Sequence, residues 1–145
     1  MTSDYMPTVS TGTISNAAIW TGRVLSGLVT VFLLFDGAIK LIPLDIVITT
    51  SQQLGIPVHL APMLGALTLI GTVLYAVPRT AVLGAIWLTG YIGGAIYVHV
   101  LAGSPLFSHT FFGVYLALMM WGGLYLRDER VRALIAQVKR REAIL

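Results

Sequence analysis

The sequence has no cysteine among its 145 residues, and Asp, Glu, Lys and Arg together make up only 10% of it. Without thiols there is no disulfide exchange, thiolate catalysis, iron–sulfur cluster or cysteine-ligated zinc, and no hint of redox compartment. The scarcity of charge excludes a soluble globule. A domain this small has too much surface for so few charges, where soluble domains carry roughly 25%. Walker, dinucleotide, nucleophile-elbow, HExxH and haem-attachment motifs are also missing, so no catalytic residue is assigned. What is present is apolar: 57% hydrophobic residues, and 15 glycines besides. Disorder is excluded by the same figures. The net charge of +3 would suggest a nucleic-acid partner, but its distribution points to a lipid bilayer instead. One membrane-embedded domain is the expectation, with no nucleic acid bound.

Positions 46–78 and 80–126 carry no formal charge, and the second stretch alone spans 47 residues. That is enough for two spans of about 20 residues and a short loop. Four transmembrane helices are expected, near 15–41, 60–77, 81–100 and 109–126, forming an all-α bundle. Residues 1–14 form an N-terminal extension and 127–145 a separate tail. The turn Pro78-Arg79-Thr80 is so short that the second and third spans must be antiparallel neighbours. An even number of spans puts both termini on one side with Arg79. That side holds Arg23, Arg79, Arg127, Arg130, Arg132, Lys139, Arg140 and Arg141, against Lys40 alone on the other. The positive-inside rule therefore places both termini in the cytoplasm. The first 22 residues lack Lys and Arg, which argues against a cleaved signal peptide.

Two further segments carry structure. Residues 44–54, followed by Gly55-Ile56-Pro57, have the form of a short helix with a glycine C′ residue and a proline stop, lying on the outer membrane surface. In the tail, Val131, Leu134, Ile135 and Val138 recur at helical spacing among basic residues. This pattern fits a basic amphipathic helix on the anionic leaflet or a solvated extension of the fourth span.

Depth arithmetic selects the residues able to carry chemistry. Asp36 lies 13 residues above Arg23, about 20 Å along a helix, and so within the outer third of the hydrocarbon core. Charges at that depth face the bundle interior or pair with one another. Asp36 and Lys40 stand at i and i+4, acid before base, which is the favourable order. Tyr91 lies about 18 Å above Arg79, and Tyr115 is equally far above Arg127. His59, His99 and His109 all fall near span ends on the same side. A polar layer of Asp36, Tyr91 and Tyr115 beneath a rim of Lys40, His59, His99 and His109 is the candidate outward-facing pocket. The alternative is a neutralised Asp36–Lys40 pair that only locks the outer end of the first span. No two histidines share a span, so no metal is expected, and Trp20, Trp121 and Tyr125 suit an interfacial aromatic belt. Gly90 and Gly94, and Gly65 with Ala61, have the small-xxx-small spacing of close helix packing, within the bundle or in a homo-oligomer.

Several blocks together resemble the DoxX-like family. They are Asp36-Gly37-Ala38-Ile39-Lys40-Leu41, Leu54-Gly55-Ile56-Pro57, Leu64-Gly65-Ala66-Leu67, Val77-Pro78-Arg79-Thr80, Leu88-Thr89-Gly90-Tyr91-Ile92-Gly93-Gly94-Ala95 with His99, and Trp121-Gly122-Gly123-Leu124-Tyr125-Leu126-Arg127-Asp128. The resemblance implies a small four-helix bacterial integral membrane protein, with Asp36, Lys40, Tyr91 and His99 on motif positions; an inner-membrane location is expected. The family's name comes from a membrane subunit associated with a thiosulfate:quinone oxidoreductase. Lacking cysteine, this chain cannot supply thiol redox chemistry itself. The leading expectation is a pocket for a quinone-like molecule in a membrane partner of a redox system. A structural anchor or assembly factor without ligand, and an oligomeric small-solute transporter, are the alternatives.

Overall fold

The computed structural model describes residues 14–142, so all but the last residue of the expected N-terminal extension lies outside the described residues. The first helix starts at Ser15, whose Oγ accepts the Ala18 N–H at 3.3 Å. Six α-helices follow among the described residues: α1 (Asn16–Ile39), α2 (Asp45–Gln53), α3 (Ala61–Ala76), α4 (Ala81–Leu101), α5 (Phe111–Arg127) and α6 (Glu129–Glu142). A 3-10 turn, Val58–Leu60, leads into α3, and a wider π-type turn, Leu106–Thr110, leads into α5. With these lead-in turns the four long segments measure 24, 19, 21 and 22 residues, each enough to cross a hydrocarbon core. Their outward faces are apolar; Val31, Phe35 and Leu118 are each more than 60% exposed. The chain is a multi-pass helical membrane protein.

The spans form a ring in which α1 and α4 each pack against both α3 and α5, so α1 faces α4, and α3 faces α5, across the diagonals. Lipid is as apolar as leucine, so close approach rather than burial must hold such helices together. The inward stripe of α1 accordingly runs Gly22, Ser26, Val29, Leu33, Gly37. A Cβ on Gly22 would lie 2.9 Å from the Gly123 carbonyl oxygen of α5, and one on Gly65 would lie 2.7 Å from the Gly37 carbonyl oxygen of α1. Gly84 abuts the Tyr75 backbone too closely to admit any side chain.

The ring is filled at its Arg79 end by Tyr75, Leu88, Met120 and Leu124, all fully buried. The Tyr75 hydroxyl donates to the Met120 carbonyl at 2.8 Å and lies 2.9 Å from Ser26 Oγ. One side chain of α3 thus ties α1 to α5.

Both segments outside the spans take definite form. At the end of α2 the Gly55 N–H bonds Gln52 O at 3.1 Å and the Ile56 N–H bonds Ser51 O at 2.8 Å. With Gly55 at φ +67°, this is a Schellman ending, whose left-handed residue favours glycine. Gly103, at φ +64°, closes α4 in the same way. Beyond α5 the backbone turns extended at Asp128, whose carboxylate accepts the Arg130 N–H at 2.9 Å and caps α6. The tail is therefore a separate helix and not a straight extension of the fourth span.

Candidate functional site

At the other end of the ring the interior is polar. Asp36 and Lys40 project from the end of α1, and the Lys40 ammonium donates to the Asp36 carboxylate. It also lies 3.5 Å from the Tyr91 hydroxyl of α4, across the bundle's diagonal. Both partners of the ion pair are about three-quarters buried, which suits charges held within a span. Lysine has three N–H donors. Asp36 accepts one of them, and the Tyr91 hydroxyl stands at the limit of hydrogen-bond distance.

Three cavities meet at this pair. One of about 230 Å³ lies between α1, α2 and α3, and includes Val47, Ser51 and Leu54 in its wall. A second, about 150 Å³, is lined by Phe32, Ile96, Phe112 and Leu116 between α1, α4 and α5. The third, about 510 Å³, runs beneath α2 past Leu64, Gly90, Gly94 and Tyr97. Asp36 and Lys40 line all three, while Tyr91, Ala95 and His99 line the second and third. Only the third falls in the range of roughly 300–1,000 Å³ that small-molecule pockets occupy.

His99 and His109 stand at the mouth with ring centroids 5.9 Å apart. His99 Nδ1 lies 3.1 Å from Ser104 Oγ, and His109 Nδ1 lies 2.8 Å from Ser108 Oγ. These contacts orient both rings and leave each Nε2 to face other partners. Among the described residues no three His, Asp or Glu side chains converge as a metal site.

Several sequence expectations need correction. Tyr115 does not join the polar layer: it is 47% exposed on the outer face of α5, while its neighbour Leu116 turns inward. His59 is exposed on the turn before α3 and lines none of the three cavities. Of the two packings expected of Gly90 and Gly94, the one within the bundle does not form: a Cβ on either would meet nothing within 4 Å. Trp121 is no simple belt residue, since its Nε1 donates to Thr89 Oγ1 of α4 at 2.9 Å. Sequence reasoning passed over the Tyr75 lock altogether, and did not foresee that Trp87, one turn below Tyr91, donates its Nε1–H to the Leu67 carbonyl of α3 at 3.0 Å. A tyrosine near a span end carries no mark that separates a core position from a belt position.

The sequence profile of the DoxX-like family matches residues 24–123, a stretch that contains Asp36, Lys40, Tyr91, His99 and His109. No curated protein and no solved structure gives a significant match. With the match covering well over half of its length, the chain belongs to the DoxX-like family.

Proposed function

We propose that this protein binds a quinone-like amphipathic small molecule within the membrane and serves as the membrane partner of a redox system. The observation that carries this reading is the convergence of Asp36, Lys40 and Tyr91 on one polar contact, with His99 on the same cavity wall. Apolar walls suit a ring, and the ammonium, the phenol and the imidazole suit its two oxygens. Burying such groups together is costly unless they bond one another or a ligand. The basic residues favour an inner-membrane orientation with the Arg79 turn and both termini in the cytoplasm, so the pocket would face outward. The exposed Leu134, Ile135 and Val138 of α6 favour contact of that helix with the cytoplasmic leaflet.

The transporter reading is less favoured, because the buried layer of Tyr75, Leu88, Met120 and Leu124 fills the ring below the cavities. The test is purification in mild detergent followed by extraction and mass spectrometry, with a Tyr91→Phe/His99→Ala variant as reference. A small molecule enriched in the wild type, and a melting temperature raised by added quinone only in the wild type, are expected. If neither occurs, the structural-anchor reading replaces this one.

A further inference from the structure

The seam between α3 and α4 is closed along one half and open along the other. Toward the Arg79 end, Gly84 abuts Tyr75, and a Cβ on Gly71 would lie 2.8 Å from Leu88. Trp87 then bridges the seam to the Leu67 carbonyl. Beyond it, where helices of ordinary composition would interlock side chains, α4 presents Gly90 and Gly94 with nothing within 4 Å. The 510 Å³ cavity occupies this gap and reaches from the glycines to Lys40, Tyr91 and His99, with Thr50, Leu54 and Ile56 near its far end. Gly90 and Gly94 are themselves exposed on the bundle's side, at a level where the surroundings are hydrocarbon. From Gly90 to Tyr97 the groove extends about 10 Å along α4.

We infer that this gap is a lateral port through which the pocket takes a membrane-resident ligand, with an oxygen-bearing head at Lys40, Tyr91 and His99 and an apolar chain laid across Gly90 and Gly94 into the bilayer. The inference rests on the reading of the pocket as a quinone-like site and narrows it to ligands bearing a tail. Two observations point to a ligand rather than to a second copy of the chain. The groove is continuous with a cavity walled by an ion pair, a phenol and an imidazole, which a lipid-facing helix would not satisfy. It also lies under α2, which restricts how closely another span approaches.

The test uses the full chain in nanodiscs and two probes, a 1,4-benzoquinone carrying a ten-carbon chain and the same ring without it. Binding is read by thermal shift and by competition with a photoreactive tailed quinone. The wild type is expected to bind the tailed ring roughly tenfold more tightly than the bare ring. Gly90→Leu/Gly94→Leu should abolish that difference, because the added side chains fill the port where the tail would lie. Gly94→Val serves as the second variant if the double substitution alters elution or melting without ligand.

Equal affinity for both rings in the wild type, or an undiminished tail advantage in folded variants, would overturn the lateral port and leave the polar pocket standing. Failure of both rings to bind the wild type would remove the pocket and the port together. Efficient disulfide cross-linking of Gly94→Cys into a dimer that excludes the tailed ring would assign the groove to a second copy instead.

Discussion

The Arg127 guanidinium lies 4.9 Å from the Tyr75 ring centroid and donates to the Tyr75 backbone carbonyl at 2.9 Å. The same tyrosine's hydroxyl reaches Met120 and Ser26. Lys40 and Tyr91 span the α1–α4 diagonal at one end of the ring, and Tyr75 and Arg127 span the α3–α5 diagonal at the other. The two polar crossings differ in surroundings: the first is flanked by cavities, the second by fully buried side chains. The open crossing is the one the proposed ligand would occupy.

Replacing Tyr75 by Phe removes the hydroxyl but keeps the ring beneath Arg127. Met120 O and Ser26 Oγ then lose a buried partner, at a cost of about 1–3 kcal/mol. The melting temperature in detergent should fall by several degrees, with little effect on ligand binding at the distant pocket. An unchanged melting curve would show that the hydroxyl does not lock the three helices.

Asp36 and Lys40 should behave as a coupled pair. Lys40→Met leaves a carboxylate without its cation in the span, and adding Asp36→Asn should recover part of the lost stability. A double-mutant cycle measured by thermal unfolding is expected to give an interaction of about 0.5–3 kcal/mol. Losses that simply add would refute the coupling.

Heights along the spans were legible in the sequence, and rotations about their axes were not. Residue counts from Arg23 and Arg79 put Asp36 and Tyr91 at one level, and Lys40 indeed contacts both. Tyr115 was placed by the same arithmetic and faces outward. A soluble helix reveals its inner face through hydrophobic periodicity, but a membrane span is apolar on both faces and loses that signal. Gly90 and Gly94 show the same loss, because small-xxx-small spacing does not say which side meets a helix. By contrast, the end of α2 was readable because Gly55-Ile56-Pro57 specifies a local backbone conformation needing no tertiary context.

Orientation can be settled with single cysteines, since the native chain has none. The exposed Gln52 and Ser108 serve as reporters at the histidine end, with Gln137 on α6 at the other. Gln52→Cys and Ser108→Cys should react with an impermeant thiol reagent in intact cells, and Gln137→Cys only after lysis. The opposite pattern would reverse the topology drawn from the basic residues.

The last prediction contrasts two glycines of the same helix. Gly22 faces Gly123 and the backbone of Arg127, where a Cβ would lie 2.9 Å from a carbonyl oxygen and 2.9 Å from an amide nitrogen. Backbone atoms cannot rotate away as a side-chain tip can, so Gly22→Ala must push α1 and α5 apart and weaken the contacts along their shared seam. Overpacking of this kind typically costs about 1–3 kcal/mol. Gly27, little more than one turn further along, has nothing within 4 Å of the same added atom. Gly27→Ala meets no clash and gains helix propensity, worth up to about 1 kcal/mol in water and less in a membrane, where unfolded spans stay helical. Melting curves in one detergent should therefore show a fall for Gly22→Ala and no fall for Gly27→Ala. Equal shifts in the two variants would mean that the α1–α5 crossing does not depend on Gly22.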